Sequence, residues 1–241
     1  MTTRKAIASI ALLAMGSVFG LAGHAVAADL LPTTKGPPPA PPVVAFTWTG
    51  FYIGGYVGAG ADTDQFHFIP ANTRTFNSAD SVLGGVRAGY NYQAQWAVLG
   101  VEGDFGGMDL KSRNSCPNPF FTCGHENDWV GTLLGRVGVS PIDRALLYVA
   151  GGGAVSDFRY HALPPGVAPF VFSGNFSQTE YAWVIGGGFE YAFANNWSAD
   201  IEYLHYEFGD VTAPPGTLSA ANSTRLSNHM DTIDVGINYH F

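Results

Sequence analysis

Ile233-Asp234-Val235-Gly236-Ile237-Asn238-Tyr239-His240-Phe241, the last nine residues of the chain, place an apolar or aromatic side chain at every second position. Period two is the period of an extended strand, whose successive side chains point to opposite faces. One face here is wholly aliphatic and aromatic, while the other holds Asp234, Asn238 and His240. Reading backward from this segment, the same segregation recurs seven more times, and no helical periodicity is sustained.

The first such segment, near 49–60, sets Phe51, Ile53, Val57 and Ala59 against Tyr52, Tyr56 and glycines. The second, near 82–93, sets Val86, Ala88, Tyr90 and Tyr92 against Arg87, Asn91 and Gln93. Next, near 97–105, Leu99, Val101 and Phe105 oppose Glu102 and Asp104, and near 128–139 Trp129, Leu133, Val137 and Val139 oppose Asp128, Thr132 and Arg136. Near 145–156, Leu147, Val149 and Val155 oppose Tyr148, Gly152 and Ser156. Near 180–193, Trp183, Ile185, Phe189, Tyr191 and Phe193 oppose Glu190, and near 197–208 Ala199, Ile201 and Tyr203 oppose Asp200 and Glu202.

Tight polar links fall at 93–95, 141–144 and 194–196, and long ones at about 61–81, 106–127, 157–179 and 209–230. Alternating short and long links predict an all-β fold, an eight-stranded antiparallel up-and-down transmembrane β-barrel. In the outer membrane of a Gram-negative cell, its even strand number would leave both termini in the periplasm.

A water-soluble eight-stranded barrel would reverse the faces, with apolar residues inside. Here the apolar face is continuous, and the other carries Arg87, Glu102, Asp104, Arg136, Glu190, Asp200, Glu202 and Asp234, a poor lining for an apolar ligand. Charges of both signs on one face predict a paired network in the lumen. Ten-residue strands rise roughly 33 Å and, tilted by about 40°, cover about 25 Å, the height of the apolar band in such barrels. Trp96, Trp197, Phe193, Tyr92 and Tyr239 near the short links, and Trp129, Trp183 and Tyr203 at the other end, would form aromatic girdles.

Composition agrees. A 241-residue chain that is 46% hydrophobic and 12% charged is charge-poor for a soluble domain, yet beyond its N-terminus no apolar run is long enough to cross a bilayer as a helix. Arg4 and Lys5, the apolar stretch 6–22, and small Ala25 and Ala27 have the layout of a signal peptide over 1–27, cleaved after Ala27. Its removal would delete two of eleven basic residues and no acid, leaving nine against nineteen, a formal charge near −10. Such a chain repels nucleic acid, and no basic patch offsets that. Residues 28–45, with six prolines, favour an extended polyproline tether in the periplasm, and 46–241 would form the barrel.

Cys116 and Cys123, in an exported chain, are expected to form one disulfide. A metal site built on these cysteines with His125 lacks a four-ligand spacing, so no metal and no cofactor is expected. His67, His125, His161 and His229 fall in the long links, where a shared ligand site such as one for haem would need them to converge. The glycine clusters 151–153 and 186–188 open no helix and fit close strand packing better than phosphate binding. No spacing of serine, histidine and acid suggests an enzyme.

The segments Phe46-Thr-Trp-Thr-Gly-Phe-Tyr-Ile-Gly-Gly-Tyr-Val-Gly, Gly89-Tyr-Asn-Tyr-Gln, Val101-Glu-Gly-Asp-Phe-Gly and Glu190-Tyr-Ala-Phe, with Asn-Trp-Ser and Glu-Tyr-Leu after it, resemble the outer-membrane β-barrel family of α-proteobacterial surface antigens, the porin-family or Omp25/Omp31-like immunogenic proteins. The likeness spans the mature chain. It implies a surface antigen embedded in outer-membrane lipid and lipopolysaccharide, contributing to envelope integrity, with Tyr239 and Phe241 in a C-terminal signal for the barrel-assembly machinery. A small-solute pore is the alternative. Since eight strands enclose a space that side chains just fill, a sizeable channel would require a homo-oligomer, more strands or a fluctuating interior.

Overall fold

The computed structural model describes residues 46–69, 72–116, 122–163, 174–219 and 223–241. The signal segment with Ala25 and Ala27, and the proline-rich tether, lie outside the described residues. Nine antiparallel strands are seen among the described residues: β1 (Gly50–Ile69), β2 (Thr73–Ala94), β3 (Ala97–Ser115), β4 (Thr122–Ile142), β5 (Ala145–Leu163), β6 (Gly174–Ala192), β7 (Trp197–Phe208), β8 (Val211–Ala213) and β9 (Ser223–His240). Each of β1 to β6 pairs with its successor, β7 pairs with β9, and β9 returns to β1, closing the sheet. The three-residue β8 pairs with the far end of β9 and prolongs the stave begun by β7. The barrel therefore has eight staves.

Apolar alternation becomes lipid-facing surface. Phe51, Ile53, Val57, Val86, Leu99, Val101, Phe105, Leu133, Val137, Leu147, Val149, Ile185, Ile201, Ile233, Val235 and Ile237 are all exposed, Leu133 at 70%. Burying none of these in a folded chain makes sense only if the surrounding solvent is hydrocarbon. At the near end, Trp197 packs edge-on to Tyr239 at 5.1 Å between ring centroids, and Trp96 is exposed beside its turn. The β2–β3 link is only Gln95 and Trp96, and Gln95 takes a left-handed φ of 57°, as a two-residue hairpin requires.

At the other end the long links are shorter than the sequence suggests. β1 and β2 run on to Ile69 and from Thr73, β3 and β4 to Ser115 and from Thr122, β5 and β6 to Leu163 and from Gly174, and β9 begins at Ser223. A 20-residue β1 rises roughly 66 Å and, at about 40° of tilt, stands about 50 Å tall, twice the apolar band. The physical reason is an inversion of pattern. Past Ala61, Val82, Gly107, Trp129, Val155, Tyr181, Tyr203 and Ile233, the outward residues become Thr63, Asp80, Asp109, Asp128, Asp157, Thr179, His205 and Asp231. Several inward positions there become apolar, with Phe66, Leu110, Phe158, Phe208 and Leu226 buried. The membrane-spanning part thus covers roughly the turn-proximal half of each strand, and the distal half is built like a water-soluble barrel.

Register shifts lie between Gly107 and Leu110, between Asn127 and Val130, and, beside the β4–β5 turn, between Val139 and Ile142. The second turns Asp128 outward, where it pairs with Arg159 at 2.7 Å, so the sequence reading that set it with Thr132 and Arg136 is corrected. Within the glycine clusters, a Cβ at Gly152 would lie 2.0 Å from the Leu133 carbonyl oxygen, and one at Gly188 would lie 2.5 Å from the Tyr148 hydroxyl. Both are close-approach glycines.

Candidate functional site in the barrel lumen

Four layers fill the lumen. Nearest the short turns, Phe46 and Trp48 tuck against His240, with Trp48 fully buried and its ring centroid 5.6 Å from that of His240. Gln93 anchors this cap by accepting the Trp48 amide at 2.9 Å and donating its own amide to Thr49 Oγ1.

Above it lies a charged layer inside the membrane-spanning half. The Arg87 guanidinium donates to Asp200 and Asp234, both at 2.7 Å, and stands 3.4 Å from Asp104 and 3.7 Å from Glu202. Arg136 donates to Glu102 at 2.8 Å and to the Tyr52 hydroxyl at 2.6 Å, and stands 3.4 Å from Glu190, while Tyr52 in turn donates to Glu102. Asn238 bridges Glu190 and Asp200. Tyr56 lies under Arg87, and Tyr52 and Tyr148 flank Arg136. The structure thus brings together Arg87, Glu102, Asp104, Arg136, Glu190, Asp200, Glu202 and Asp234, the eight residues expected to form a paired lumen network, on six different staves. Two guanidinium groups face six carboxyls.

Next comes a mostly apolar constriction. Leu83, Met108, Val130, Leu204 and Tyr206, with Thr232 among them, meet the charged layer at Arg87, Asp104, Glu202 and Asp234 around a gap of only about 10 Å³, room for no more than about one water.

The distal layer is polar and packed with aromatics. Alternation on β1 aims both Asp62 and Asp64 inward, and His125 meets them from β4, Nδ1 2.7 Å from Asp64 and Nε2 3.1 Å from Asp62. All three side chains are at most 1% exposed. Burial alone would push His125 down, but the two carboxylates outweigh it and raise the imidazole to about 10. Burial pushes Asp62 up to about 6, against the pull of His125. Beside them Tyr160 donates to Glu180 at 2.6 Å, and Asn228 donates to both. Burial raises Glu180 to about 7. Phe66, Phe158 and Phe208 are buried against this layer, with Phe158 5.9 Å from His125 and 5.0 Å from Phe208, and Phe66 6.0 Å from Tyr160.

The four histidines do not share a site. They lie on strands and not in loops: His67 and His229 face outward, while His125 and His161 are buried, His161 beside a cleft of about 470 Å³ also lined by Arg159, Asn175 and Phe176. Asp62 and Asp64 were not legible as site residues, although their spacing of two, shared with the inward glycines of β1, was the available signal. Also missed was a contact of Ser198 with His240 and Glu190. Ser198 Oγ is 2.9 Å from His240 Nε2 and donates to Glu190 at 2.5 Å, and Glu190 lies 3.2 Å from the same Nε2. A nucleophile relay needs the acid on the opposite ring nitrogen, so this is a structural contact. Cys116 and Cys123 form a disulfide, with Cα atoms 5.1 Å apart, joining the ends of the β3–β4 link.

Compared with known proteins, residues 35–241 match the family model "Outer membrane protein beta-barrel domain". The 31 kDa outer-membrane immunogenic protein of Brucella melitensis is 31% identical over 97% of this chain and 99% of its own length. The 25 kDa outer-membrane immunogenic protein of Brucella abortus is 30% identical over 90% of this chain and 91% of its own. Among solved structures, the outer membrane protein OprG from Pseudomonas aeruginosa gives a TM-score of 0.49 at 13% identity, covering 82% of this chain and 100% of that one.

Proposed function

The chain belongs to the outer membrane protein beta-barrel domain family, and from that premise we propose that it is a non-enzymatic structural barrel of the cell envelope that stands well clear of the bilayer and presents its distal end as a surface antigen. The observation that carries this reading is the layered lumen. Among the described residues, a cross-strand ion network, a constriction with a gap of only about 10 Å³ and a cluster of buried aromatics fill the lumen, which supports an interior that braces the wall and does not conduct. Outer-membrane lipid surrounds the apolar band, lipopolysaccharide abuts its distal rim, and the terminal Tyr239 and Phe241 are read by the assembly machinery during insertion.

One feature favours a second reading, a narrow cation pore: the six carboxyls around two arginines would select for cations if the constriction opened. Planar-bilayer recording of the refolded protein separates the two. A silent membrane at protein levels where folded barrels are inserted supports the structural role, and steady cation-selective unitary currents overturn it.

A further inference from the structure

We infer that Asp62, Asp64 and His125 form a binding site for one divalent transition cation of the zinc class, held in the distal lumen outside the bilayer. One ligand atom from each residue can be chosen so that all three lie within 4.8 Å of one another, close enough to converge on a single ion with small side-chain adjustment. The donors are one imidazole nitrogen and two carboxylate oxygens. Zinc accepts that mixture, whereas calcium and magnesium favour sets made of oxygen alone.

Burial and charge point the same way. Two carboxylates and one imidazole are removed from water, with Glu180 as a third acid in the same layer. Asp62 Oδ1 and Asp64 Oδ1 are both buried without a hydrogen-bond donor among the described residues. A lone buried acceptor of this kind is costly, and coordination to a cation would satisfy both. The three ligands are also well supported. Asp62 and Asp64 sit on one strand that is paired on both sides throughout, and His125 is fixed on β4 next to the disulfide-closed link. Rigid strands hold ligands better than loops do. The rival arrangement is an imidazolium clamped between two carboxylates with no metal role.

The test uses the refolded mature protein in detergent, its folding checked by heat-dependent gel migration. Cobalt(II) is titrated as a spectroscopic probe and zinc(II) is then added as competitor. The expected result is one cobalt per barrel with ligand-field absorption bands that zinc removes, together with a zinc-dependent rise in the unfolding midpoint of the unmodified protein. D64N and H125Q, still heat-modifiable, should weaken binding by at least roughly tenfold, with D62N as the substitute if either fails to fold. H205Q/H229Q, which alters outward histidines, should leave binding unchanged. The proposal is overturned if micromolar zinc finds no stoichiometric site, if the midpoint does not move, or if D64N and H125Q bind as the parent does while H205Q/H229Q does not.

Discussion

Arg136 lies over the ring of Tyr148, its guanidinium carbon 3.7 Å from the ring centroid, so that the cation is covered by an aromatic face while its nitrogens reach Glu102 and Tyr52. The contact is possible because Gly188 on β6 leaves room for the Tyr148 hydroxyl. A guanidinium can stack and form several directed hydrogen bonds at once, which an ammonium cannot.

Arg136→Ala should therefore destabilise the barrel by about 3–5 kcal/mol, because Glu102 and Glu190 would remain buried without their cation. Arg136→Lys should recover only part of that loss. Reversible urea unfolding in lipid vesicles measures both. Arg159→Ala, which removes an exposed pair with Asp128, is the control and should change stability by no more than about 0.5–1 kcal/mol.

On the lipid face, Leu133→Arg should cost about 2–4 kcal/mol, since Leu133 lies well within the apolar band. Thr179→Arg, beyond the band, should cost about 0–1 kcal/mol by the same measurement. Equal costs at the two positions would contradict the placement of the bilayer boundary.

The distal layer gives a pH dependence. Glu180 is raised to about 7 by burial, so the folded barrel holds its proton at pH values where the unfolded chain, titrating near the ordinary glutamate value, has released it. Its contribution is fully present below about pH 4.5 and is lost as pH rises toward and through 7. Stability should fall over that interval by up to about 3 kcal/mol from this group. Glu180→Gln, which cannot ionise and keeps an acceptor oxygen for the Tyr160 hydroxyl, should flatten this part of the profile.

Reducing the Cys116–Cys123 disulfide should lower unfolding free energy by at most roughly 2–3 kcal/mol, the chain-entropy figure for so short a loop. Heat-modifiable migration should persist, because the bond closes a distal link and none of the strand pairings depends on it.

The turn-proximal half of the barrel was legible because a lipid-facing strand shows a wide apolar set against an ionisable one, as Ile233 to Phe241 do. The distal half was not. There Phe66, Leu110, Phe158 and Leu226 point inward and Gln65, Asp157 and Arg225 outward, while Asp62 and Asp64 interrupt the inner set with charge. Pattern inversion midway along a strand reads as the end of a strand. Asp128 was misplaced by a shift in pairing that no local signal announces, since one extra residue exchanges the faces. The meeting of His125 with Asp62 and Asp64 depends on β1 and β4 facing each other across the lumen, a closure that residue spacing does not encode.

Membrane residence turns on which way the apolar face looks, and site-directed spin labelling in reconstituted vesicles asks that directly. Labels are placed at Leu133 and Asp157, and their collision with oxygen, which concentrates in lipid, is compared with collision with a water-soluble nickel chelate. The Leu133 label should meet oxygen and be shielded from the chelate, while the Asp157 label should show the reverse. A Leu133 label freely reached by the chelate would mean that its strand faces water, and the membrane assignment would be wrong.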